Sequence, residues 1–487
     1  MLQDKGIESI QELKKYFSNP ERKVDYLLDI FKFFDFKRIN KRLDILKRQG
    51  SSISSVLSVL IILPFLKQAS VHALLRSGCK NLAGGGKDVY YRIKNRQDID
   101  WRSILTSFVK RFLIIVAQKG DNEGAGPSCL VVDDSYCPKV GTKAEFVGRV
   151  YDHVTHRFLI GLRLLQLCFY DGKSTIPIDF SFHREKGKNE AKPYGLTKKQ
   201  LKLQAKGKRI AGSVSDIRAK EVDDSKMKVA KNMIKRALKF LKVDYVLMDS
   251  WFTSEGMIEC VRGEIGSTKE PKAHLIGMMK MGNAKYLYKG HEYNSAELLK
   301  LVKRSIKASK CKKLNSSYIV LDVMYKGYSV RLYFSRFGNR GKWHLLLSTD
   351  KSLIYVAMME IYRIRWTIEV FFHEGKGLLN LGKCQSTSFE AQIADATITM
   401  IQYILLTLKK RFDDYESRGV VFRDTSEQMQ ERKLHVRLWA LLVVIVKMVI
   451  SSLEVVIDDI DMMVTKIIRD NKLKGIADLV SLEIQTE

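Results

Sequence analysis

Apolar residues recur at three- and four-residue spacing over residues 7–17, 22–33, 53–66 and 101–117, so residues 1–120 read as all-helical. A Gly84-Gly85-Gly86 break precedes KDVYYRIKN (Lys87–Asn95). Its Tyr90, Tyr91, Arg92 and Lys94 suit either phosphate contact with base stacking or a surface helix with an aromatic inner face. The character changes after the turn-rich DNEGAGPS at 121–128. CLVVDDS (Cys129–Ser135) is a short continuous apolar run ending in acids, the pattern of a buried central strand. Two longer strands follow, His156–Tyr170 and Ser174–His183, with Asp171-Gly172-Lys173 as the hairpin turn between them. Residues 184–220 are rich in Lys, Gly and Gln and lack apolar periodicity. They read as a mobile basic loop able to track a phosphate backbone, or as a solvated linker.

Downstream, a helix over about Val222–Leu241 leads into VDYVLMDSWF (Val243–Phe252), a second apolar strand ending in an acid. A helix near 254–263 and a strand at His274–Met281 come next. Residues 282–350 alternate around glycine turns and read as a β-rich insertion. Residues 387–411 and 431–470 are helical with one apolar face. Between the insertion and these helices lies YRIRWTIEVFFHEGK (Tyr362–Lys376), which has no glycine before Gly375. Drawn as one continuous helix, it puts Ile361, Ile364, Ile368 and Phe371 on one side. Tyr362, Arg365, Glu369 and Lys376 fall within roughly 60° on a neighbouring face.

Charge narrows the partner. The 487 residues hold 84 Lys+Arg against 54 Asp+Glu, a net charge of +30. Such an excess on a chain of ordinary apolar content points to a polyanion, most often nucleic acid. The seven scattered cysteines, with no CxxC, suit reduced thiols in a cytoplasmic setting rather than a zinc module. The start, MLQDKGIESIQELKK, lacks an apolar signal core. The apolar runs Ile53–Phe65 and Trp439–Ile450 are too short for spans, so no membrane partner is expected.

Three carboxylates from separate segments carry a possible chemistry. Polynucleotide phosphoryl transfer uses a pair of divalent cations about 4 Å apart, held by carboxylate oxygens. In the first strand Leu130, Val132 and Asp134 share one face, and Val131 and Asp133 the other. In the second, Val243, Tyr245, Leu247 and Asp249 share a face. Acids at strand ends are also common simply as surface residues.

The spacing Tyr362-x2-Arg365-x3-Glu369-x6-Lys376 resembles the Y-R-E-K signature of DDE transposases of the insertion-sequence-four group. VVDDS resembles the first-strand motif of that family, whose catalytic Asp directly precedes Ser or Thr, which points to Asp134 with Asp133 as the alternative. VLMDSWF resembles the second motif and points to Asp249. The resemblance covers about residues 87–410.

It implies an α/β fold: a ribonuclease H-like mixed-sheet core interrupted by a β-rich insertion, with helical N- and C-terminal regions. The corresponding divisions are 1–120 for DNA binding, 121–281 and 351–415 for the two parts of the core, 282–350 for the insertion and 416–487 at the C-terminus. It also implies a DNA transposase that cleaves at element ends and transfers strands into target DNA. Asp134, Asp249 and Glu369 would hold Mg2+, with Mn2+ able to substitute. Tyr362, Arg365 and Lys376 would contact DNA phosphates, and Trp343 or Trp366 would either stack on a base or pack in the core. His373 lies close to the stripe. The implied partners are double-stranded DNA, as terminal inverted repeats and target, and a second copy forming a homodimer on paired ends, in the cytoplasm at the nucleoid. A non-enzymatic DNA-binding derivative and a metal-dependent nuclease without strand transfer are the competing classes.

Overall fold

The computed structural model describes residues 50–427, apart from 78–82, 84, 122–125, 153–155, 266–270, 339 and 413–414. The helices expected at 7–17, 22–33 and 431–470, and the apolar run Trp439–Ile450, lie outside the described residues. The chain divides into two compact units, one of residues 1–90 with 420–487 and one of residues 91–419.

In the first unit, α1 (Ile53–Ile62) starts at Ser52, whose hydroxyl accepts the Ser55 N–H. It ends earlier than the apolar pattern predicts. Pro64 offers no N–H to continue the ladder, and the chain turns there. Helix α1 buries Val56, Leu57, Leu60 and Ile61. Helix α2 (Val71–Arg76) is capped by Ser70. The rings of Phe65 and Phe422 lie 5.4 Å apart. Helix α3 (Lys87–Lys94) runs across the boundary between the units, with Tyr90 buried and Tyr91 exposed.

The second unit is mixed α/β. Helix α4 (Trp101–Gln118), capped by Asp100, leads to β1 (Cys129–Pro138), β2 (Gly148–Asp152), β3 (Arg157–Tyr170) and β4 (Thr175–His183). The expected hairpin turn joins β3 to β4, and Asp171 caps it through the N–H groups of Lys173 and Ser174. Residues 184–220 are not a mobile loop. They contain a 3-10 turn at Pro193–Gly195, α5 (Lys198–Lys202) and α6 (Val214–Lys220). Composition hid this because few apolar residues hold the segment. Its anchor is instead the buried Arg209, which reaches Glu145 at 2.6 Å and Glu390 at 2.8 Å.

The chain continues through α7 (Lys226–Ala237), β5 (Tyr245–Met248), α8 (Glu255–Arg262) and β6 (His274–Met279). Then come β7 (Lys285–Tyr288), β8 (His291–Asn294), α9 (Ser295–Ser305), β9 (Ser309–Cys311), β10 (Ser316–Tyr325), β11 (Tyr328–Phe337) and β12 (Trp343–Ser348). All twelve strands form one sheet, in the order β2-β3-β1-β5-β6-β12-β11-β10-β7-β8, with β4 on β3 and β9 on β10. β1, β5 and β6 are parallel to one another, and the remaining pairings are antiparallel. Leu347 of β12 stands opposite Gly277 of β6, so residues 282–350 extend the same sheet.

The polar stretch after β12 is not one helix. Helix α10 (Tyr355–Arg363) tightens into a 3-10 turn at Ile364–Trp366 before α11 (Thr367–Leu378) resumes. Helix α12 (Phe389–Phe412) follows and packs on α4 and β4. Among the described residues it alone has the length and apolarity to cross a membrane. It is buried within the protein along nearly all of that length, which is how a core helix passes the same test.

Candidate active site

β1 sets the geometry. Side chains alternate along a strand, so Val131, Asp133, Ser135 and Cys137 face one way and Val132, Asp134 and Tyr136 the other. The α10–α11 segment lies over the first of these faces. Arg365 Nη1 donates to Asp133 Oδ2 at 2.9 Å, and its Nη2 donates to Glu369 Oε1 at 2.7 Å. Lys376 Nζ donates to Ser135 Oγ at 2.8 Å, and the Tyr362 hydroxyl donates to the Met248 carbonyl at 3.3 Å. The 3-10 turn therefore does not scatter the expected stripe: Tyr362 reaches the end of β5, Arg365 and Lys376 reach the middle of β1, and Glu369 is tied to them through Arg365. Ile368 and Phe371 are buried beneath them.

Asp249 directly follows β5. Its Oδ1 accepts the N–H groups of Trp251 at 2.9 Å and Phe252 at 3.2 Å, and its carbonyl accepts the Thr253 hydroxyl at 2.7 Å. The turn needs Gly277 on β6, since a Cβ there would stand 2.2 Å from Thr253 Oγ1. These bonds hold the Asp249 carboxylate beside Asp133. Burial, and then the negative charge of Asp249, push the Asp133 carboxyl up to about 7. Burial alone would lower Arg365, but its bonds and charges from Glu369, Tyr362 and Asp133 raise it. Burial pushes the Tyr362 phenol up to about 12 and lowers the Lys376 ammonium.

Asp134 lies elsewhere. It faces away from α11 and is paired with Arg163 at 3.1 Å and with Lys226 at the start of α7. Arg365 thus joins Glu369 to Asp133, whose carboxyl feels the charge of Asp249, rather than to the expected Asp134. The motif position and the strand alternation left both acids open, and only the side on which α11 packs separates them. Ser135 as partner of Lys376, and Lys226 as partner of Asp134, were not legible either. Both contacts join segments far apart in the chain.

Trp366 is 60% exposed on the 3-10 turn and is not a core residue. Trp343 is half-buried at the start of β12, with Lys303 Nζ 4.6 Å and the Arg336 guanidinium 5.3 Å from its ring. His373 is exposed. Among the described residues, no three His, Cys, Asp or Glu side chains cluster closely enough to hold a metal ion as they stand. The Arg365 guanidinium lies between Asp133 and Glu369 and supplies the positive charge there. The donor set nevertheless suits a hard divalent cation: all oxygens, with Asp133 and Asp249 repelling one another where a cation would relieve them.

With this geometry in hand, the matching family carries weight. Residues 171–405 match the Transposase DDE domain. The match supports a transposase of the DDE type. It covers Asp249 and the whole Tyr362–Lys376 stretch but begins after β1, so the first acid is argued from geometry alone. No curated protein matches the chain in sequence. Among solved structures, the crystal structure of the NurA nuclease from Sulfolobus solfataricus is similar at 11% identity, covering 57% of this chain and 85% of that one. Its TM-score is 0.21, too low to establish a shared fold.

Proposed function

We propose that the chain is a DNA transposase of the insertion-sequence-four type. It would cleave strands at the ends of a bacterial insertion sequence and join them to target DNA, with Asp133, Asp249 and Glu369 as its catalytic carboxylates. The observation that carries this reading is the approach to one another of an acid on central β1, an acid at the end of parallel β5 and the Arg365–Glu369 pair, which joins the 3-10 turn to α11. A mixed sheet bearing its acids at these positions supports a ribonuclease H-like core. Mg2+, or Mn2+ in its place, would be held by these three residues. When bound, such a metal pair activates the attacking oxygen and stabilises the leaving one.

The chain's own groups do the rest. Arg365 exchanges its carboxylate partners for a substrate phosphate, which its planar fork grips in a bidentate way. That exchange frees Asp133 and Glu369. Lys376 lies at the same face as a second cation for phosphate, and Tyr362 offers a hydroxyl donor at the mouth. Double-stranded DNA, as terminal repeats and target, is the substrate, and a homodimer on paired ends is the working form.

End-bearing duplex with Mg2+ tests the reading. Glu369→Gln and Asp133→Asn are expected to lower cleavage at least about 10³-fold, a loss of roughly 4 kcal/mol of transition-state stabilisation, while still binding DNA. Asp134→Asn is expected to cleave measurably better than Asp133→Asn. Equal cleavage by wild type and Glu369→Gln would remove the assignment. Cleavage without strand joining would leave the nuclease class, and binding without either reaction the DNA-binding class.

A further inference from the structure

The segment 186–208 carries eight lysines: Lys186, Lys188, Lys192, Lys198, Lys199, Lys202, Lys206 and Lys208. They face one acid, Glu190. All nine side chains are exposed, and among the described residues none of the eight lysines forms an ion pair. The usual reading of such a run is a flexible solvated loop, in which like charges simply spread apart.

The backbone here cannot spread. Tyr194 N–H donates to the Lys186 carbonyl at 2.8 Å, and the Arg184 guanidinium sits 3.7 Å above the Tyr194 ring. Arg149 Nε donates to the Gly195 carbonyl at 3.1 Å, and Leu196 is fully buried. A reciprocal Thr197–Gln200 capping box starts α5. Gln204 Nε2 donates to the Val147 carbonyl at 2.7 Å, and Ala205 N–H donates to the Lys143 carbonyl at 2.8 Å. Gly207 N–H donates to Glu145 at 2.9 Å, just before buried Arg209 closes the stretch on Glu145 and Glu390. Eight ammonium groups are therefore held on a fixed scaffold with a local excess of +7 (eight lysines less Glu190). Such an arrangement repels itself unless a polyanion lies against it.

We infer that residues 186–208 form a rigid phosphate-tracking strip that docks the backbone of duplex DNA without reading its sequence. The choice of duplex DNA as the polyanion rests on the proposed transposase function, whereas the strip itself rests only on the anchored lysines. Exposed lysines on short, tethered elements are suited to phosphates rather than to base edges. Their contacts release counterions, so their signature is salt dependence.

The test uses the full chain, a fluorescent duplex of unrelated sequence, EDTA to prevent cleavage, and a sodium chloride series. Lys198→Gln/Lys199→Gln/Lys202→Gln and Lys186→Gln/Lys188→Gln/Lys192→Gln alter exposed side chains only, and unchanged melting temperatures would verify their folding. Each triple variant is expected to bind at least tenfold more weakly at low salt. The log–log salt slope is expected to fall by about 0.9 for every phosphate contact removed. Unchanged affinity and slope in both variants overturn the inference. So does lysine-dependent binding to vesicles containing anionic phospholipid without lysine-dependent binding to duplex. The cleavage assay separates this result from the parent reading. Lysine-dependent binding by a wild type that cuts nothing keeps the strip and removes the transposase, and lysine-independent binding by an active enzyme does the reverse.

Discussion

Two carboxylate clusters built against the same sheet, one buried and one half-buried, show opposite electrostatics. On β4, Asp179 is met by Arg102 at 2.9 Å and Arg236 at 2.7 Å, with Arg218 at 4.0 Å. Glu221 shares Arg102 and Arg218 and also accepts the Ser181 hydroxyl. Burial would raise Asp179, but the three guanidinium groups outweigh it and hold the carboxyl below its usual range. Around the ends of β1 and β5, Asp133 and Glu369 share the one guanidinium of Arg365, Asp249 has no cationic partner among the described residues, and Asp133 is pushed up to about 7. The first cluster is complete within the chain and serves the fold. The second is left short of positive charge, which is a cost that a folded protein retains where something else supplies the cation.

The largest effect that would test this contrast comes from the complete cluster. Asp179→Ala removes one of the two carboxylates that neutralise three guanidinium groups, leaving Glu221 alone to Arg102 and Arg218 and taking the carboxylate from Arg236, and is expected to lower stability by about 3–5 kcal/mol in urea unfolding. A loss below about 1 kcal/mol would mean that the Asp179 cluster is not structural in this sense. A smaller effect is expected from pH at the incomplete cluster. Asp133 has a raised carboxyl, so its contribution to stability is full below about pH 4 and is lost as pH rises through about 7. In EDTA, Asp133→Asn should therefore gain on wild type between pH 5 and 8, by on the order of 2–4 kcal/mol. Added Mg2+ should stabilise wild type more than the variant at pH 8. A parallel pH dependence of the two proteins would show that Asp133 is not the strained acid. The smallest effect concerns Tyr362. Its hydroxyl has the Met248 carbonyl as partner, so Tyr362→Phe is expected to cost about 1 kcal/mol of stability. A melting temperature unchanged by that substitution would place the hydroxyl wholly in the service of substrate.

Much of this was legible from local patterns. The β1, β3–β4 and β5 strands, the helices at α4 and α12, and the chemical stripe of Tyr362, Arg365, Glu369 and Lys376 all follow from periodicity and spacing. The break at Ile364–Trp366 did not, because neither glycine nor proline marks it. Order in residues 184–220 was hidden as well. Its anchors are single polar contacts to distant chain, such as Arg209 to Glu145 and Glu390, which leave no apolar rhythm.

The sequence by itself determined that Asp133 and Asp134 point to opposite faces of one strand, since the period of a strand is two. It also determined that four polar groups share one side of the segment carrying Glu369. Only the tertiary structure decided which face of β1 that segment covers, because the choice depends on which side the chain returns to after more than two hundred intervening residues. By placing Arg365 against Asp133 and Lys226 against Asp134, it gave two neighbouring, chemically identical acids different partners, and it is this difference that supports Asp133 as the proposed site residue.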